Sequence, residues 1–509
     1  MTKDFASYAQ ETGGRAILLF LLFGLAIYQF VNAGFPAYAL ICLSPLIILA
    51  AYIAFKYRMA AFWALFFINY FVQWFAKNKW LPSGVPMSMY NEMLEILLLG
   101  IAIIDARRTP HFERTANLML YALLIWCGFV TLEVLNDTCG LGINVGAWYQ
   151  GARMMAFQLL YCFLVFCIYI NSSKILIQYL YIWAGLSLFT VFWTWKQIHI
   201  GFTDAEYSWL MNWGAGTHIL NGGTLIRYFS THNDAANFGI CIASTAVAYY
   251  IFAMTSKIKK HRIFFLITGI GSTWAMFQSG TRTATACLII GIIAYVFLSK
   301  SVKIATGVSI VFGFLFFILA FTNIGQGNQQ IRRMRSAFDK NDASANVRTI
   351  NQQTMRKYMK EAPWGIGVGM NKENVPANNK YTLMSSIPPD SEYVFIWLHT
   401  GKIGITTFII TMLLMLGGAC WIVLFKIKNP SLRGVGAGFC CAFVSMQLGG
   451  YGNQVLMQFP NCLLFYGGLS IVYILPFLEK EWIEYEAKEI AIQEEKKRLK
   501  LEKKKASRV

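Results

Sequence analysis

Residues 263–298 read IFFLITGIGSTWAMFQ, then SGTRT, then ATACLIIGIIAYVFL. Two apolar runs are joined by a polar island of five residues, Ser279-Gly280-Thr281-Arg282-Thr283. A chain that leaves one such run, turns at once and enters another is a membrane-helix hairpin, because a bilayer leaves no other way to satisfy the backbone over so long an apolar stretch. Arg282 sits at its tip. A guanidinium there is costly unless it snorkels to headgroups or meets an anion, and both readings stand at this point.

The same pattern repeats outward in both directions. With 56% hydrophobic and 14% charged residues, the chain reads as an all-α polytopic membrane protein of about 12–14 transmembrane helices. Fourteen candidate spans centre near residues 24, 46, 67, 97, 125, 159, 184, 245, 271, 292, 312, 413, 442 and 465. They divide the chain into an N-terminal block 1–322 of about 11 helices, a long loop 323–391, a C-terminal block 392–478 of about three helices, and a basic tail 479–509. The first span is read as a retained helix, not a cleaved signal, because a second follows at once.

The net charge of +19 does not point to nucleic acid, because its placement is that of topology signals. If the N-terminus starts inside, alternate connections carry Lys56 and Arg58, then Arg107, Arg108 and Arg114, then Lys174, then Lys257, Lys259, Lys260 and Arg262, then Lys300 and Lys303, then Lys426, Lys428 and Arg433, then the tail. Both ends fall inside. Of the eleven cysteines only Cys139 lies in a polar loop, which argues against a disulfide framework. On this topology Arg227, the stretch Ser230-Thr231-His232-Asn233-Asp234, Arg282 and the 323–391 loop share the outer side. No internal repeat or matched pair of broken spans supports a transporter, although Glu92, Glu95, Glu133 and Arg153 lie within spans and are either helix-to-helix pairs or an ion pathway.

Several fragments in order carry a resemblance: Arg227 with Phe229-Ser230-Thr231-His232-Asn233-Asp234-Ala235-Ala236, then Ser279 to Ala284, then Arg348, then Pro363-Trp364-Gly365-Ile366-Gly367-Val368-Gly369, then Pro389-Asp390-Ser391-Glu392-Tyr393 and Gly401-Lys402-Ile403-Gly404. Over about 180 residues, 227–404, the chain resembles the O-antigen ligase superfamily, which also holds O-antigen polymerases and protein O-oligosaccharyltransferases. The resemblance implies a GT-C-like glycosyltransferase of the bacterial inner membrane with a long periplasmic loop. Its donor would be an undecaprenyl-diphosphate-linked glycan and its acceptor a hydroxyl of a glycolipid, glycan or protein. Ligase is the first reading, polymerase the second, protein glycosylation the third; a polysaccharide transporter or flippase is the alternative of another class.

That chemistry needs a cation for the leaving diphosphate and a base for the acceptor. Arg227 and Arg282 are the candidates for the first, since a guanidinium fork matches phosphate oxygens and stays charged. For the base the chain departs from the family, whose usual His-Asn pair falls on Asp390 and Ser391. Asp390, Glu392 and His232 are the candidates, against the plainer readings of a helix N-cap for Asp390 and a hydrogen-bonded core histidine for His232. Arg348, Asn233 and Tyr393 are expected to bind substrate. The family implies no cofactor and no metal. The pairs Asp204-Ala205-Glu206 and Asp390-Ser391-Glu392 offer hard oxygen ligands for a divalent cation as the alternative.

In the long loop, apolar spacing predicts short helices over 331–338 and 344–359, ending before Pro363. Gly365-Ile366-Gly367-Val368-Gly369 lacks the strand–turn–helix context of a nucleotide site. The tail reads as an inner-face helix touching anionic lipid, removable with little loss of activity.

Overall fold

A computed structural model describes residues 16–17, 19–28, 30–32, 34–81, 87–105, 111–220, 225–301 and 343–506, with isolated positions between 306 and 332. The chain is an all-α polytopic protein. Among the described residues eight helices are long and apolar enough to cross a membrane, and three shorter apolar ones accompany them. Each expected span centre falls in a helix except that near 312, which lies outside the described residues, as does most of the helix expected over 331–338.

Two compact bodies are present, 1–64 and 65–509. The first holds an apolar helix at Leu19–Asn32, α1 at Phe35–Lys56 and the first turns of α2, Arg58–Lys77. The second continues through α3 (Met87–Ile104), α4 (Leu118–Leu132), α5 (Val145–Tyr169, with a π-turn at Arg153–Phe157), α6 (Ser173–His199), α7 (Ala235–Thr255), α8 (Lys259–Gln278) and α9 (Arg282–Leu298). It ends with α10 (Ala343–Met359), α11 (Glu392–Trp421), α12 (Pro430–Gly452) and α13 (Gly467–Ala506).

Caps start the helices where the sequence changes from polar to apolar. Asn117, Asp234 and Asn429 each accept two backbone N–H groups of the first turn of α4, α7 and α12. α7 is the hub, buried along nearly its whole length, and packs against α8, α9 and α12. Close approach to α12 depends on small residues: a Cβ on Gly434 would collide with Thr255, and one on Gly438 with Phe252. Within this body the C-terminal helices pack on the N-terminal ones, α11 on α4 and α12 on α7 and α9.

Of the polar groups within spans, Arg153 and Glu92 pair between helices, Glu133 is bonded locally, and Glu95 Oε2 is buried with no hydrogen-bond partner among the described residues. Arg153 donates to Glu92 at 3.1 Å and to Ser88 at 2.6 Å, joining α5 to α3, and Asn136 donates to Glu133 at 2.7 Å. All eleven cysteines are free.

α11 is broken at Gly401, whose φ of 64° lies in the left-handed region. The break frees carbonyls, and the loop fills the gap: Ile366 N–H donates to Leu398 O at 2.9 Å and Gly367 N–H to His399 O at 3.1 Å. The glycine-rich stretch is therefore a backbone plug. A Cβ on Gly365 would run into the His399 carbonyl, and one on Gly369 into the Ala147 carbonyl.

Candidate active site at one end of the helices

The stretch between α6 and α7 turns back on itself through a short antiparallel hairpin, Ile219–Leu220 against Leu225–Ile226. Its last hydrogen bond runs from Arg227 N–H to His218 O at 2.8 Å, which sets the two side chains next to each other. The Arg227 guanidinium is then held in place: Nε donates to Ser279 O (3.2 Å), Nη1 to Thr217 O (2.8 Å) and Nη2 to Thr281 Oγ1 (2.9 Å). The Ser279–Thr281 turn can come this close because Gly280 takes a φ of 56° and Gly239 of α7 has no side chain to strike Ser279. Thr281 in turn donates to Ala235 O at 2.9 Å, tying the start of α9 to the start of α7.

A cavity of about 530 Å³ opens here, lined by Thr217, His218, Arg227, Asp234, Ala236, Val347, Arg348, Asp390 and Asn453. Two arginines and two carboxylates face one space. Asp234 is the N-cap of α7 and Asp390 stands one residue before Ser391, the N-cap position of α11, so the starts of two helices border it. Their partial positive charge favours an anion. Arg348 comes from α10 in the long loop and meets no hydrogen-bond acceptor or carboxylate among the described residues. Asp390 has a φ of 38°, a conformation that costs a non-glycine residue energy and that clusters at functional sites. Ser391, not Asp390, occupies the N-cap position, and its hydroxyl donates to Gly450 O at 3.1 Å.

His218 is fixed as the neutral tautomer. Its Nε2 accepts Ala235 N–H at 3.0 Å, so the proton rests on Nδ1, which donates to Gly214 O at 3.1 Å. Burial, followed by the nearby Arg227 charge, pushes its pKa down to about 4.

The other expected site residues lie apart from the lining. His232 is buried, its ring against Tyr70 and Phe238, and its Nε2 has no partner among the described residues. Burial and the neighbouring Lys77 charge push its pKa down to about 3. Asn233 contributes its carbonyl to Lys77 at 2.9 Å, and that ammonium sits 3.6 Å from the Trp209 ring centre and 3.7 Å from that of Phe229. Glu392 is buried and accepts Leu456 N–H at 3.0 Å, fastening the segment after α12. The Tyr393 hydroxyl donates to Gln447 at 2.7 Å, a helix-to-helix contact. Arg282 opens α9, one residue past Thr281, and is not among the lining residues.

Neither Asp-x-Glu pair is arranged as a cation cradle. Glu206 accepts from Trp193 (2.7 Å), Gln197 (3.0 Å) and the backbone of Thr203 (2.9 Å), while Glu392 is taken by backbone N–H. Among the described residues no three His, Cys, Asp or Glu side chains group as metal ligands.

A family model described as O-antigen ligase matches residues 241–409. Over that segment, about a third of its length, the chain is similar to the O-antigen ligase family. No curated protein matches it. The O-antigen ligase match takes in Arg282, Arg348 and Asp390 but begins after Arg227, His218 and Asp234. The cavity thus joins residues within the family segment to residues before and after it.

Asp234 carried a sequence signal, an aspartate immediately before an apolar run. His218 and Asn453 carried none: His218 is turned to the cavity by a short hairpin that no motif marks, and Asn453 lies there beside Thr283, 170 residues away in sequence.

Proposed function

We propose that the chain is a glycosyltransferase that moves a glycan from an undecaprenyl-diphosphate carrier to an acceptor hydroxyl at the periplasmic face, as an O-antigen or surface-polysaccharide ligase. The observation that carries this is the pair Arg227 and Arg348 facing one cavity bordered by the starts of α7 and α11, in a chain whose residues 241–409 match the O-antigen ligase family. In the transfer, the bond from the anomeric carbon to the diphosphate oxygen breaks and one from that carbon to the acceptor oxygen forms. The diphosphate leaves with added negative charge. Arg227, held by three acceptors, is oriented in advance to receive that charge, while Arg348 approaches from the loop. The acceptor proton goes to Asp390, the cavity carboxylate with a strained backbone and no helix to cap. No metal is needed for this step, the arginines supplying the charge.

Two experiments test the reading. In a transfer assay with purified protein and a lipid-linked glycan, Arg227→Ala should lower turnover roughly 100- to 1000-fold, the usual cost of losing one donor to a developing anion; full turnover by a folded variant would refute the role. In a strain lacking the protein, long glycan should accumulate on the lipid carrier with none on the final acceptor. Acceptors bearing single repeat units would instead identify a polymerase.

A further inference from the structure

A second cavity, of about 290 Å³, lies at the opposite end of the helices, where the last turns of α7 and α9 meet the first turns of α12. Met254, Leu298 and Ala437 form its apolar wall, and Tyr295, Ser299 and Arg433 its polar one. Arg433 is half-buried, and among the described residues its guanidinium meets neither an acceptor nor a carboxylate. The carboxylates at this end are engaged elsewhere. Glu479 accepts the backbone N–H groups of Lys428 and Asn429, and Glu486 accepts from Asn429 at 2.9 Å, from Ser431 and from Lys257 at 3.3 Å. A partly desolvated cation beside an open cavity calls for an anion from outside the chain.

The surroundings identify its kind. Met254 is 48% exposed at the mouth and Phe297, next to Leu298, is 77% exposed, so the cavity adjoins an apolar outer surface. Lys259, Lys260 and Arg262 in the first turn of α8 and Lys300 after α9 lie at this end and would concentrate anionic lipid there. We propose that this cavity binds a membrane phospholipid, its phosphate on Arg433 and an acyl chain along Met254 and Leu298. Arginine suits a phosphate through its two-pronged donor geometry. The site is separate from the proposed transfer centre and does not depend on it.

Native mass spectrometry of the full-length protein, titrated with phosphatidylglycerol or phosphatidylcholine in detergent, reads this directly. The unaltered protein should retain phosphatidylglycerol through delipidation. Arg433→Gln should bind it roughly ten-fold more weakly, the effect of one charge-assisted hydrogen bond, and Arg433→Lys should fall between. Equal retention by Arg433→Gln would overturn the proposal, and so would displacement of the lipid by inorganic phosphate alone, which would mark a free-anion site. Should Arg433→Gln fail to fold, Ala437→Val decides: it narrows the cavity with the arginine in place, and undiminished lipid binding would refute the assignment.

Discussion

His218 shows how one side chain couples the site to the stability of the protein. It is buried, it accepts the first N–H of α7, and its pKa of about 4 lies below the ordinary histidine value. The unfolded chain therefore takes up a proton as pH falls below about 6.5 while the folded chain does not, and each unit of difference is worth about 1.4 kcal/mol. Its contribution is present above that pH and is lost as pH falls from about 6.5 towards 4, with His232 acting in the same direction. Melting temperature followed across that window should drop, and His218→Gln, which keeps an acceptor without a proton to gain, should flatten part of the slope. An unchanged slope would contradict the burial of the neutral ring. The sequence marked Arg227, Arg348 and Asp390, because each stands in a motif. It could not separate His218 from His232: both are lone histidines near the same helix start, and only the hairpin turns one to the cavity while the loop held by Lys77 packs the other into the core.

At the scale of elements, the loop and α11 depend on each other through backbone contacts that admit no side chain. Gly365 and Gly401 both have positive φ, 82° and 64°, and a Cβ on either would strike the other segment's backbone. Gly365→Ala should cost more than about 3 kcal/mol, combining conformational strain with a steric clash, and should be seen as lost yield of folded protein on size exclusion. Gly417→Ala is the control: the same helix, exposed, with open space around the new carbon, so a gain of up to about 1 kcal/mol from helix propensity is expected. Equal behaviour of the two would mean that the plug is not needed. The helix over 344–359 was legible from its apolar spacing and from Pro363, and it appears as Ala343–Met359. The break at Gly401 was not. The apolar run passes through it without a proline, and the carbonyls it frees are satisfied from more than thirty residues away in sequence, by Ile366 and Gly367.

Across the whole second body, hydrogen bonds between connections sort into two sets. One joins Lys77, Arg227, Ser279, Asn453 and Glu392 with their partners, and the other joins Arg114, Ser173, Lys257, Asn429 and Glu486 with theirs. Basic residues in alternate connections had already divided the chain in this way, since charge bias is a property of each loop by itself. Which loop touches which is not such a property, and there the expectation for the tail needs correction. It was read as removable in full, yet Glu481 accepts Ser173 N–H at 2.9 Å, Trp482 donates to Ser431 at 2.8 Å, and Glu479 and Glu486 hold the start of α12. Two turns of α13 thus fasten connections from three parts of the chain, whereas Glu495–Leu499 and Glu502 beyond them are exposed. A chain ending at Glu494 should insert, fold and transfer glycan much as the full chain does. A chain ending at Leu478 leaves several N–H groups and Lys257 without their acceptors, at about 1–3 kcal/mol for each one that stays buried, and should lose several degrees of melting temperature or fail to accumulate. Equal stability of the two truncations would remove the clamp; lost transfer by a stable chain ending at Glu494 would instead place part of the basic tail on the catalytic side and overturn the arrangement of the two faces.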